Sequence, residues 1–161
     1  MSGGATVLIV YASKYGAAAR CARELAERIG AAARLASLRG PDARPEAELS
    51  RAVAEAAAVV VGGSIYAGRI RAEVPRFCER RRGELLGRKV ALFISCLETG
   101  ERAREELEAA FPPWLLAHAA ARAPLGGEVR VSALRPLDRF LYTRVAGGRE
   151  DVSRIDREAI A

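Results

Sequence analysis

Apolar positions fall into two patterns along the first two-thirds of this chain. Residues 6–11 (TVLIVY), 57–62 (AAVVVG) and 89–95 (KVALFIS) are nearly continuous apolar runs with little alternation. Runs of that kind mark strands covered on both faces, as in a parallel sheet. Residues 33–38 and 128–132 carry a weaker form of the signal and are expected to add two more strands. Between the runs, apolar residues recur at helical spacing. Ala22, Leu25, Ala26 and Ile29 form the stripe of a helix expected over 18–29. A second helix, over 46–54, follows Pro45, a residue suited to a first turn. Amphipathic stretches over 71–86 and 102–111 complete the set before Pro112-Pro113 interrupts. Farther on, Leu137, Phe140, Leu141 and Val145 share one face of a helix expected over 136–145, with Arg135, Arg139 and Arg144 alongside. That helix is expected to pack back on the sheet; a basic amphipathic surface touching a membrane is the alternative.

Strand and helix in alternation imply an α/β architecture of three layers, a doubly wound five-stranded parallel sheet with helices on both faces. Five strands at this spacing suit the order 2-1-3-4-5, which is a match to a known arrangement and not a derivation. No low-complexity tract, internal repeat or long linker divides the sequence, so residues 1–161 read as a single domain. No apolar run approaches the roughly 20 residues of a membrane span. The first ten residues have no basic segment ahead of their apolar run, and no signal peptide is expected. Three cysteines, Cys21, Cys78 and Cys96, are an odd number without metal-like spacing. They fit a reduced, cytoplasmic setting.

In such a sheet, ligands sit beyond the carboxyl ends of the strands where the order reverses, which here gathers three loops. They are residues 12–18 (ASKYGAA), 63–68 (GSIYAG) and 95–100 (SCLETG), all rich in small, hydroxyl or glycine residues. In the first, Ser13 supplies a hydroxyl, Lys14 a cation and Gly16 a tight turn. The helix that follows opens its unpaired N–H groups to a phosphate. An ordinary strand-to-helix turn has the same outline. In the second, Tyr66 stands among small residues and suits stacking on a flat heterocycle, or anchoring its own loop. In the third, Cys96 is a small buried residue or a thiol near a redox ring. Nothing beside it would lower its pKa, so no cysteine nucleophile is expected.

Lysine occurs only at positions 14 and 89, so 24 of the 26 basic residues are arginine, and the net charge is +6. With the abundant alanine, that bias reads as GC-rich coding. The surplus still favours anionic ligands or anionic membrane surfaces. No arginine cluster is interleaved with aromatics, so a nucleic-acid partner is not expected. His118 is the one histidine and is expected on a helix surface, which removes His-based metal clusters. No metal site, Ser-His-Asp order or paired-carboxylate spacing stands out. A chain without its own acid, base or metal usually borrows a cofactor.

These loops together resemble the flavodoxin superfamily. Val10, Tyr11, Ser13, Gly16, Ala22 and Leu25 fit its phosphate-loop signature, and Ala18 stands where the signature has threonine. GSIYAG, the R-x-x-x-P-x-F of Arg71, Pro75 and Phe77, GRKVALFIS, and the L-x-x-L-D-R-F tail of GGEVRVSALRPLDRFLYTRVAGG narrow the likeness. This ensemble is similar to the flavodoxin-domain family that includes menaquinone-dependent protoporphyrinogen oxidase, over nearly the whole chain. The resemblance implies FMN, with its phosphate at Ser13, Lys14, Tyr15, Gly16, Ala17 and Ala18. Its ring would lie between Ser64, Ile65, Tyr66, Ala67, Gly68 and Ser95, Cys96, Leu97. It further implies an oxidoreductase that takes hydrogen from a reduced tetrapyrrole or similar donor and passes electrons to a quinone-type acceptor. The flavin carries the chemistry, so no side chain is assigned as catalytic. The basic surface suits a substrate with propionates and a peripheral position at the inner face of a membrane. A homodimer is left open.

The sequence departs from the pattern at Ala17 and Ala18, where two hydroxyl donors to the phosphate are missing. One lost hydrogen bond to a charged group weakens binding roughly 10- to 150-fold. Residues 98–127 match the oxidase's inserted segment only loosely. An electron-transfer flavodoxin, or a binding domain with weakened or lost FMN, are the alternative readings.

Overall fold

The computed structural model describes residues 5–126, and the backbone of 128–129 and 152–153. The long apolar runs become β1 (Val7–Ala12), β3 (Ala58–Tyr66) and β5 (Lys89–Ser95), with β2 (Ala33–Ser37) and β6 (Ala121–Pro124) at the edges. All five are parallel, in the order β2-β1-β3-β5-β6. This is the expected 2-1-3-4-5 once the short β4 (Arg69–Ile70), which turns back antiparallel on β3, is set aside.

The apolar runs are continuous because both faces are covered. Leu8, Val10 and Ala12 of β1, Val59 and Val61 of β3, and Val90, Leu92 and Ile94 of β5 face one core. Over it lie α2 (Glu46–Glu55), α3 (Glu73–Arg80), α4 (Arg82–Leu86), α5 (Gly100–Ala110) and α6 (Pro113–His118). Ile9, Tyr11, Val60 and Phe93 alternate onto the other face, where α1 (Ala17–Ile29) buries Ala18, Cys21 and Ala22. Each fully buried aliphatic side chain contributes about 1.5–3 kcal/mol, so the three central strands are the thermodynamic centre of the fold. Phe93 packs where a neighbouring side chain would otherwise stand: a Cβ on Gly62 would collide with its ring.

Several expectations need correction. The fifth parallel strand is Ala121–Pro124, not 128–132; Glu128–Val129 pairs instead with Val152–Ser153 in a separate antiparallel ribbon. The true edge strand is only ARAP, half exposed, and its proline is tolerated because an edge strand has one unpaired side. Alanine and arginine gave it no apolar signal. The stretch 71–86 is two helices, interrupted at Arg81 (φ −107°, ψ 20°), whose guanidinium reaches Glu46, Ser50 and Glu84. Pro112-Pro113 starts α6 where only an interruption was expected, with Pro113 in its first turn. His118 lies on α6 but is half-buried, its Nε2 2.7 Å from the Arg88 carbonyl oxygen. The helix expected over 136–145 lies outside the described residues.

Candidate functional site

The carboxyl ends of β1, β3 and β5 lie side by side, and parallel register decides which side chains meet there. Ala12 is opposite Gly63, and Ser64 is opposite Ser95. Ser13, one step beyond Ala12, therefore continues a row with Ser64 and Ser95 on the α1 face of the sheet. The Ser64 hydroxyl donates to the Ser13 oxygen at 3.5 Å. Ser95 is 2% exposed, and its hydroxyl has no hydrogen-bond partner among the described residues. The sequence named all three serines singly; only strand pairing between distant segments makes them a row.

The chain then turns into α1 through Gly16, left-handed at φ 99° and ψ −11°, where a side chain would be strained. The Gly16 N–H donates to the Ser13 oxygen at 3.0 Å, which folds the turn on itself. The Gly16 carbonyl accepts the first helical bond, from the Arg20 N–H at 2.9 Å. The N–H groups of Ala17, Ala18 and Ala19 precede that bond and have no acceptor within the helix. No side chain caps this end, and its first turn holds no acidic residue. The helix dipole therefore leaves a positive end facing the mouth. Ala17 and Ala18 are 7% and 0% exposed, so their methyls lie in the core and the Ala18 amide is itself covered.

The second segment is a hairpin. β3 runs through Ser64, Ile65 and Tyr66 as strand where a loop was expected, and pairs Ile65 with Ile70 and Tyr66 with Arg69. Ala67 and Gly68 form the two-residue turn at φ 51° and 76°, the positive pair that a type I′ turn requires. Ala67 is the one non-glycine residue with positive φ among the described residues, a conformation costing roughly 1–2 kcal/mol. Gly63 makes room for the return strand, since a Cβ there would meet Val74 Cγ2 at 2.9 Å and Ile70 Cγ1 at 3.1 Å.

Aromatic contacts tie the two segments together. Tyr15 and Tyr66 meet edge to face, with centroids 6.2 Å apart and planes at 63°. The Lys14 ammonium lies over both rings, 4.5 Å from the Tyr66 centroid and 5.3 Å from that of Tyr15. On the opposite rim, Glu73 sits between Arg39 at 3.4 Å and Arg71 at 3.9 Å. Arg39 and Glu73 were not singled out by sequence, and Arg71 only within its motif, because nothing local marks a loop after β2 as a neighbour of α3.

In the third segment, Cys96 is 3% exposed and donates to the Glu98 carbonyl oxygen at 3.6 Å, while its N–H bonds the Gly126 carbonyl at 2.9 Å. Burial first, then the Glu106 carboxyl, pushes the thiol up to about 12. It is a proton-bearing side chain and not a nucleophile. Leu97 is half-buried at the turn. Glu106 itself was missed. Its carboxyl is held above the usual carboxylate range by burial and by Glu98, against the lowering pull of Cys96 and Arg102. A signal existed: positions 103, 106, 107 and 110 form one stripe, so a glutamate at 106 is turned partly inward.

The mouth fits a flavin mononucleotide phosphate through the unbonded first-turn amides of α1, the positive helix end and the Ser13 hydroxyl proton. Space is open above the turns, since a Cβ on Gly16 or Gly68 would meet nothing within 4 Å. A cavity of about 520 Å³ lies elsewhere, between β2 and α2, lined by Arg34, Arg44, Arg51 and Glu48. Among the described residues, no three His, Cys, Asp or Glu side chains gather as metal ligands, and no helix is long and apolar enough to cross a membrane.

A family model described as a flavodoxin domain matches residues 8–155. No curated protein matches the chain. Among solved structures, a WrbA-like flavodoxin from Agrobacterium tumefaciens is similar over 89% of this chain and 96% of its own, at 19% identity and a TM-score of 0.58. An NADPH-quinone reductase from P. pentosaceus is similar over 84% and 91%, at 11% identity and a TM-score of 0.50. The rubredoxin:oxygen oxidoreductase of Desulfovibrio gigas is matched at 18% identity and a TM-score of 0.48, over 96% of this chain. The chain spans only about a third (36%) of that protein's length. At these identities the likeness is one of fold.

Proposed function

Because the chain belongs to the flavodoxin-domain family, we propose that it is an FMN-dependent oxidoreductase of the protoporphyrinogen oxidase kind. FMN is the cofactor that membership implies, and redox chemistry is its general role. In the finer reading, a reduced tetrapyrrole or similar donor gives up electron pairs with their protons. A quinone-type acceptor takes up two electrons and two protons per pair. The observation that carries the reading is the uncapped start of α1, with its free amides and acid-free first turn, beside a hairpin that presents Tyr66.

When bound, FMN supplies the electron-transfer chemistry. The chain's own residues bind and orient. The amides of Ala17, Ala18 and Ala19 and the Ser13 hydroxyl would hold the phosphate. The hairpin 64–68 and the turn 95–97 would flank the ring, with Cys96 and Leu97 excluding water on one side. Lys14, Arg39, Arg69 and Arg71, with Glu73 paired between Arg39 and Arg71, leave the mouth a net positive rim, suited to a substrate bearing carboxylates. The same surplus supports peripheral contact with an anionic membrane, where a lipid-soluble quinone would be met.

A visible spectrum before and after adding FMN tests the first half. A yellow protein, or one that turns yellow and retains the flavin on gel filtration, is the expected result; a protein that stays colourless overturns the reading. Anaerobic mixing with protoporphyrinogen and a menaquinone analogue tests the second half. Turnover that depends on both is expected. A flavin-loaded protein that reduces the quinone with neither this donor nor other porphyrinogens removes the tetrapyrrole assignment and leaves the flavoprotein.

A further inference from the structure

We infer that Lys14 sets the reduction potential of the flavin, acting as a fixed positive charge at the ring end of the site and not as a phosphate ligand. The inference rests on the FMN reading above and deepens it. By sequence, Lys14 belongs to the turn at the phosphate. Its ammonium instead lies over Tyr66, 4.5 Å from the ring centroid, and that tyrosine ends the first strand of the hairpin. Tyr15 meets the same cation at 5.3 Å and Tyr66 edge to face.

An aromatic pair attracts a cation through the negative faces of its rings. Two tyrosines 51 positions apart thus hold one flexible side chain at a place that neither loop fixes alone. The hairpin keeps Tyr66 in position through its pairing with Arg69 and the constrained turn at Ala67 and Gly68.

A cation beside a redox group favours the state carrying more negative charge, by the rule that governs shifted titrations. Reduction adds electrons, so Lys14 favours bound reduced flavin over oxidised flavin. The inference separates the two redox readings of the chain. A raised potential suits an enzyme that takes electrons from an organic donor, and a low one suits a carrier that gives them away.

The experiment compares wild type, Lys14→Gln, Lys14→Arg and Tyr66→Leu, each loaded with FMN and separately with riboflavin, which lacks the phosphate. Affinities for oxidised flavin and midpoint potentials are measured. For Lys14→Gln, the affinity for reduced relative to oxidised flavin should fall about tenfold. That ratio corresponds to a midpoint about 30 mV more negative for a two-electron couple. The shift should appear with riboflavin as well. Lys14→Arg should restore the wild-type midpoint, because a guanidinium keeps the charge and stacks on aromatic faces. Tyr66→Leu should shift the midpoint in the same direction by a smaller amount. Lys14→Gln that weakens FMN but not riboflavin, with the midpoint unmoved, overturns the inference and returns the lysine to the phosphate. Wild type that takes up neither flavin instead removes the FMN reading itself, and the inference with it.

Discussion

The mouth above β1, β3 and β5 and the seam where α2, α3 and α4 meet the sheet are built from opposite materials. At the mouth, donors are backbone amides and small hydroxyls, and the turns rely on glycine and a strained alanine. In the seam, arginine side chains complete the structure. Arg88 alone donates to the carbonyl oxygens of Ala54 at 2.9 Å, Ala56 at 3.1 Å and Glu84 at 3.0 Å. Arg81 joins Glu46, Ser50 and Glu84, and Arg82 lies over the Trp114 ring at 5.0 Å. The difference is instructive because the arginine excess looks uniform in the sequence. In the seam it supplies donors to carbonyls at helix ends that lack helical partners. At the mouth, open amides are kept available, and charge is confined to the rim.

The largest effect should come from closing the space under the mouth. Gly62→Ala drives a Cβ into the Phe93 ring and should cost about 3 kcal/mol, read by urea unfolding. Pairing it with Phe93→Leu should return part of that loss, because the two positions share one space. If Gly62→Ala costs nothing, the core beneath the site is looser than described. Next comes the seam: Arg88→Ala should lower stability by about 2 kcal/mol while leaving FMN affinity within a factor of two. A large loss of affinity would show that the two regions are coupled, which their separate construction does not suggest.

A smaller and opposite effect is expected at the hairpin. Ala67→Gly removes the penalty of φ 51° and should raise stability by about 1 kcal/mol, less the added freedom of the unfolded chain. Unchanged or lower stability would mean the turn is not strained. The smallest effect concerns pH. Glu106 binds its proton more tightly folded than unfolded, so the native state holds the extra proton. Stability should therefore fall as pH rises from the unfolded carboxyl's range, near 4.5, through the raised folded value. Glu106→Gln should flatten that slope in unfolding measured at pH 4 to 7. An identical slope in the variant would place the titration elsewhere.

How much could be read in advance follows the same division. The central strands were legible because burial on both faces leaves uninterrupted apolar runs, and α1 because one buried stripe repeats at helical spacing. The edge strand Ala121–Pro124 was not, since half-exposed alanine and arginine carry no such imprint. Position 66 was assigned to a loop and proved to end a strand, because a hairpin is fixed by its return partner and not by its own residues. Glu106 shows the converse: its stripe was readable, but its neighbour Cys96 was not.

Legible in the residues alone were the layered α/β architecture, the strand order by family likeness, and the small-residue loops that suit a phosphate and a ring. Those properties are local, written in periodicity and in the conformational freedom of glycine. Folding alone puts Ser13, Ser64 and Ser95 in one row, rests Lys14 on Tyr66 and brings Arg88 to the carbonyls of Ala54 and Ala56. Each of these joins residues that are far apart in the chain, and only strand register and the packing of helices on the sheet bring such residues within bonding distance.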